Sequence, residues 1–138
     1  MIMTANVADL FCGTGGFSHG FFQTGEFRVV LGIDILKPSV ATFTANHGEA
    51  VGICNDIRDV RLEDLAERLG KGSRSIDVLI GGPPCQGFSS IRPFRSINEN
   101  DRRNTLFEQY TLFVDFFRPK FVVFENVVGI KNHKKGKS

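Results

Sequence analysis

Five short runs of β-branched and aromatic residues, separated by stretches of helical periodicity, constrain this chain more than any other feature. The runs are Asn6 to Phe11, Phe27 to Ile33, Val51 to Cys54, Ile76 to Ile80 and Phe121 to Phe124. The first, fourth and fifth read as buried strands. A helical pattern runs through Phe17, Phe21 and Phe22, and Lys37-Pro38 opens a second helix that Asn46-His47-Gly48 closes. Leu62, Leu65, Ala66 and Leu69 share one face of a third, stopped by Gly70. Leu106, Tyr110, Phe113 and Phe117 repeat at helical spacing before Pro119 ends a fourth. Strands that alternate with helices need right-handed crossovers, and so a parallel sheet. The expected class is α/β with helices on both faces of the sheet. The 14 phenylalanines are read as packing, most of them on core faces.

At 138 residues the chain is expected to form one domain, spanning 1–138, and the sheet stops after its fifth strand. No apolar stretch is long enough to span a bilayer, and the amino terminus lacks a signal-peptide pattern. A net charge of +2 is too small to argue for nucleic acid. Its distribution says more, because Arg92, Arg95, Arg102 and Arg103 share the polar stretch from Gln86 to Arg103. A loop of that length in a compact domain is usually functional or mobile. The lysines at 131, 134, 135 and 137 read as a solvated tail. Three cysteines without a framework argue for a reducing compartment, and no Cys or His spacing suits a structural metal. A cytoplasmic protein is expected.

The strand ends carry the chemistry. In open α/β sheets, ligands bind beyond the carboxyl ends of the strands. Cys12-Gly13-Thr14-Gly15-Gly16 follows the first strand, and its glycines let a ligand approach the backbone in front of a helix amino terminus. Asp34 ends the second strand, where a carboxylate commonly accepts ribose hydroxyls, and Asp56 follows the third. Each alone is an ordinary turn; three in succession are not. After the fourth strand comes Gly81-Gly82-Pro83-Pro84-Cys85-Gln86-Gly87-Phe88-Ser89-Ser90, whose prolines restrict the backbone around a thiol. Glu125-Asn126-Val127 follows the fifth strand, adjacent in the expected sheet. A thiol and a carboxylate in one cleft can serve as nucleophile and as the group that holds or protonates a target. Cys12 and Cys54 sit beside strands and are read as small inert hydrophobes.

Asp9-Leu10-Phe11-x-Gly13-x-Gly15-Gly16, the Gly81 to Ser89 run and Glu125-Asn126-Val127, in this order, resemble the DNA (cytosine-5)-methyltransferases. Asp34, Asn55-Asp56-Ile57 and Arg102-Arg103-Asn104-Thr105-Leu106 support the match, which covers essentially the whole chain. The resemblance implies the Rossmann-like fold of S-adenosylmethionine-dependent methyltransferases, with strand order 3-2-1-4-5. It implies that Phe11 stacks on the adenine of S-adenosylmethionine, with Gly13, Thr14, Gly15 and Gly16 near the methionine part. Asp34 would bind the ribose, Ile35 would pack on the adenine, and Asp56 would accept from its exocyclic amine. Ile57, Pro84 and Leu106 would line the pocket. Two positions depart from the family pattern: Asp34 stands where glutamate is typical, and Ile35 where tryptophan is frequent.

Catalysis, by the same resemblance, would fall to Cys85 and Glu125, acting on a cytosine flipped out of double-stranded DNA. The Gln86 to Asn104 loop would cover that base, its arginines facing phosphates. Family members also carry a Gln-x-Arg-x-Arg segment, a target-recognition region and a late Gly-Asn-Ser/Thr-Val segment. This chain lacks them, so it is expected to need a carboxyl-terminal portion, on the same polypeptide or from a second chain, before it methylates DNA. In a bacterium it would work in the cytoplasm or at the nucleoid. A silent S-adenosylmethionine-binding subunit is the alternative. A nicotinamide oxidoreductase would leave Cys85 and Glu125 without a role. A Cys-His hydrolase fails because His19, His47 and His133 fall on no strand end near the thiol.

Overall fold

The computed structural model describes residues 4–70, 75–82 and 104–125. Five strands, β1 (Ala5–Leu10), β2 (Phe27–Asp34), β3 (Val51–Cys54), β4 (Val78–Gly81) and β5 (Phe121–Phe124), form one sheet in the order β3-β2-β1-β4-β5. Every pairing is parallel. The helices are α1 (Gly16–Gln23), α2 (Lys37–Asn46), α3 (Leu62–Leu69) and α4 (Asn104–Phe117), with a 3-10 turn at Ile57–Asp59. The order and the parallel sense are those expected from the sequence. No helix among the described residues is long and apolar enough to cross a membrane.

Burial follows from this layering. Ala8, Leu10, Leu31, Ile33 and Leu79 pack with Leu65, Leu69, Tyr110 and Phe113 on the α3/α4 face. Val7, Val78 and Ile80 meet Phe17 and Phe21 of α1, while Val29 meets Phe43 of α2, on the other. The β1–β2 register shifts between Val7 and Ala8, so Val7 pairs with Val29 but Ala8 with Leu31. That bulge at Val30 brings Leu31 and Ile33 back onto the α3/α4 face. The Tyr110 hydroxyl, carried into the core, donates to the Leu79 carbonyl at 3.2 Å.

Gly32 shows how closely α2 sits on the sheet. A Cβ there would lie 2.4 Å from the Phe43 ring. Phe43 is fully buried and has no room to yield. Gly32→Ala is therefore expected to cost about 1–3 kcal/mol. It should lower the urea midpoint and leave the slope of the transition unchanged.

Three expectations need correction. β4 starts at Val78, not Ile76, because Asp77 is held instead by turn-like bonds: its carboxylate accepts from the Asn6 N–H at 2.8 Å and its carbonyl accepts from Lys120 and Phe121. β5 is not buried. Among the described residues it is an edge strand paired with β4 alone, and Phe121, Val122 and Val123 are 68%, 44% and 38% exposed. The described phenylalanines do fall mostly on core faces: Phe43 and Phe113 are fully buried and Phe11, Phe17, Phe21, Phe27, Phe117 and Phe124 pack against the core, whereas Phe22, Phe107, Phe116 and Phe121 reach solvent. Cys54 is exposed at the end of the other edge strand, so it is no core residue, while Cys12 is buried as expected. Apolar runs look alike whether a strand lies in the middle of a sheet or at its margin.

Candidate functional site

The site is built at the carboxyl ends of β1, β2 and β3. Beyond Leu10 the backbone turns sharply: Phe11 and Gly13 adopt φ of 61° and 54°. For a phenylalanine this is a strained conformation, held by the surrounding bonds. The Cys12 N–H donates to the Ile33 carbonyl and the Gly15 N–H to the Cys12 carbonyl, both at 2.9 Å. Asp34 ties this loop to the next: its Oδ2 accepts from the Gly13 N–H and its Oδ1 from the Leu36 N–H, each at 2.9 Å. Asn55 continues the series, donating its N–H to the Asp34 carbonyl and accepting the Asp56 N–H through Oδ1.

Asp56 caps the 3-10 turn. Its Oδ1 accepts from the Arg58 backbone N–H and from Arg58 Nε, both at 2.9 Å, and its Oδ2 accepts from the other arm of the guanidinium. These loops enclose a cleft of 320 Å³ whose walls include Phe11, Asp34, Ile35, Asp56, Ile57 and Leu106. Its lining exposes more apolar than polar surface, with the carboxylates of two strand ends at the rim. A flat ring system bearing hydroxyls or amines suits such a cleft: apolar walls take the ring, and carboxylates accept from the donors.

Of the residues picked from sequence, Phe11, Asp34, Ile35, Asp56, Ile57 and Leu106 thus share one cleft. Gly13, Thr14, Gly15 and Gly16 form the loop beside it, with Thr14 and Gly16 exposed. Pro84 and Cys85 lie outside the described residues, as does the Gln86 to Arg103 loop. Glu125 is described, and its position is informative. Its N–H donates to the Gly81 carbonyl at 2.9 Å, and a Cβ built on Gly82 would lie 2.9 Å from its Oε2. The carboxylate thus lies over Gly82 at the β4 end, on the segment leading to Pro83-Pro84-Cys85, where a side chain at 82 would make it shift.

Sequence reasoning missed Arg58 and Leu36 in the cleft, and a buried polar group beneath the glycine loop. Asp9, Ser18 and His47 are 1%, 0% and 5% exposed. Ser18 Oγ donates to the Gly15 carbonyl at 3.1 Å and lies 3.3 Å from His47 Nε2. Asp9 Oδ2 has no hydrogen-bond partner among the described residues. Burial pushes the Asp9 carboxyl up to about 7; the Ser18 hydroxyl and N–H oppose this, and the Asp34 charge adds to it. Burial also pushes the Cys12 thiol up to about 12, aided by Asp9 and Asp34, so it is a poor nucleophile. An aspartate inside an otherwise apolar strand was the available signal for Asp9; Arg58 had none beyond its place two residues after Asp56.

A parallel α/β sheet with a glycine loop and two strand-end carboxylates around a cleft defines the nucleotide-type class of site. Comparison with known proteins narrows this. The family C-5 cytosine-specific DNA methylase matches residues 5–138, and the chain belongs to that family. It is 42% identical to the Type II methyltransferase M.AgeI of Thalassovita gelatinovora, over 93% of this chain and 29% of that protein. With the Type II methyltransferase M1.HphI of Haemophilus parahaemolyticus the identity is 36%, over 99% of this chain and 36% of the relative. The chain thus spans about a third of the length of these relatives. Among solved structures, a DNA modification methyltransferase encoded within an E. coli prophage superposes with a TM-score of 0.78. Its identity is 33%, over 96% of this chain and 35% of that one. A Spodoptera frugiperda DNMT2 mutant, 21% identical over 94% of this chain and 37% of its own, shares the fold at a TM-score of 0.66.

Proposed function

We propose that this chain is the cofactor-binding and catalytic portion of a DNA (cytosine-5)-methyltransferase, residues 1–138 acting as one domain. The observation that carries the reading is the meeting of two groups at one sheet edge: the Phe11–Asp34–Asp56 cleft, and Glu125 lying across Gly82 beside it. The cleft suits S-adenosylmethionine in size and in its carboxylate acceptors. Phe11, Ile35, Ile57, Pro84 and Leu106 would hold the adenine, Asp34 the ribose, Asp56 the base amine, and Gly13 to Gly16 the amino-acid end. When bound, that cofactor supplies an electrophilic methyl group.

The residues of this chain would do the rest. The target cytosine leaves the stack, because its reacting atoms are shielded within the duplex. The Cys85 thiolate adds to ring carbon 6, forming a carbon–sulfur bond and pushing electron density toward carbon 5. Glu125 hydrogen-bonds the pyrimidine edge and favours a proton at ring nitrogen 3, which stabilises that charge. Carbon 5 thereby becomes nucleophilic enough to accept the methyl group. Loss of its proton and departure of the thiolate then restore the ring. The arginines of the Gln86 to Asn104 loop would contact phosphates. Target recognition would come from a further portion, on this polypeptide or a second one, acting in the cytoplasm or at the nucleoid.

Calorimetric titration with S-adenosylmethionine, with NADH as control, tests the cofactor assignment. Selective binding of the methyl donor is expected. Asp34→Ala, which removes both the proposed ribose acceptor and the tie between two loops, should weaken it by roughly tenfold or more. Binding of NADH alone would overturn the reading.

A further inference from the structure

On the buried face of α4, Tyr110 carries a hydroxyl that its neighbour Phe113 does without. A hydroxyl in a core needs partners, and this one finds them on two strands. It donates to the Leu79 carbonyl of β4 at 3.2 Å and lies 3.4 Å from the Val123 carbonyl of β5. Both carbonyls only accept, so they share its single proton. Burial, aided by Asp9, holds the phenol above its ordinary range, which keeps it a donor. Resting on the reading that a thiol after β4 and a carboxylate after β5 act together, we propose that Tyr110 is a positioning residue. Its hydroxyl joins the two strands and so sets the spacing of the segments that carry Cys85 and Glu125. Val123 stands two residues before Glu125, and Leu79 two before Gly81. The Glu125 N–H then closes on the Gly81 carbonyl at 2.9 Å. A Cβ on Gly81 would lie 2.6 Å from the Tyr110 ring, and one on Gly82 would lie 2.9 Å from Glu125 Oε2. The ring is therefore seated against the same two-residue segment over which the carboxylate lies. Phe124 meets that ring edge-on at 5.3 Å and holds it from β5. A strand of four residues, paired among the described residues with β4 alone, gains from such a tie.

Tyr110→Phe keeps the ring and removes only the hydroxyl. Amide hydrogen exchange should show the Glu125 N–H exchanging roughly tenfold faster in the variant. The Cys12 N–H, bonded to the Ile33 carbonyl of β2, should keep its rate. The companion measurement is the rate of covalent trapping on DNA containing 5-fluorocytosine, by the chain together with the polypeptide that restores its activity. At saturating DNA and cofactor, and at a temperature where both chains are fully folded, trapping should slow by roughly tenfold or more, because small misplacements of reacting groups are costly. Affinities for S-adenosylmethionine and DNA should stay within about twofold, which places the loss in the chemical step. Faster exchange with unchanged trapping would make the hydroxyl merely structural and overturn the proposal. Unchanged exchange at Glu125, or equal acceleration at Cys12, would overturn it too, and each of these results leaves the catalytic reading standing. Absence of any adduct from the unaltered chain would overturn that reading, and the proposal with it.

Discussion

Cys85→Ala is expected to abolish the proposed methyl transfer to cytosine while cofactor affinity stays within about twofold. Removing a covalent nucleophile costs the whole addition pathway, a loss of roughly 10⁴-fold or more. Neither of the other two cysteines is suited to replace it. Cys12 is buried, with its thiol pushed up to about 12, and Cys54 is exposed at the end of β3, its Sγ donating to the Ile35 carbonyl. The measurement is incorporation of labelled methyl groups into DNA, by this chain together with whatever polypeptide restores its activity. Trapping on DNA containing 5-fluorocytosine is the companion, because that base cannot lose the substituent at carbon 5. The unaltered chain should form a protein–DNA adduct that survives denaturation, and Cys85→Ala should form none. Turnover that survives the substitution would remove Cys85 from the mechanism.

The second large effect is on stability against pH. The Asp9 carboxyl rises from an ordinary 3.8 to about 7 in the fold, chiefly because it is buried. Between those values the folded chain holds a proton that the unfolded chain has released. Stability therefore falls as pH rises through that window, levels off above it, and is fully restored below it. Each pH unit inside the window costs up to about 1.4 kcal/mol. His47, whose imidazole burial holds below its ordinary 6.5, contributes a slope of opposite sign just below that value. Comparison with Asp9→Asn removes that background. Urea midpoints at about pH 5 and about pH 8 should fall steeply for the unaltered chain and much less for the variant. Parallel profiles would mean that Asp9 is ionised in the fold throughout.

The strand order, the parallel sense, and six residues that meet in the cleft were legible in the sequence, because each depends on local signals. Glycines after β1 and carboxylates after β2 and β3 mark strand ends whatever the packing. What was not legible depends on neighbours distant in the chain. Whether Phe121-Val122-Val123 lies inside or at the margin is decided by which strands flank it, and a run of apolar letters is silent on that. Asp9 reads as one polar letter in an apolar strand, and its environment comes from Ser18 on α1 and His47 after α2. Arg58 looks like a solvated arginine until the 3-10 turn folds its guanidinium back on Asp56.

Asp34 carries two obligations with one carboxylate. Its two oxygens fasten the glycine loop to the segment opening α2, and on the function proposed above the same carboxylate accepts from a sugar. A longer glutamate would carry the charge a methylene further out and separate those tasks. In this chain, scaffolding and recognition share the same bonds. Any drift at position 34 would be felt in architecture and affinity together, which leaves that residue little freedom to change by small steps.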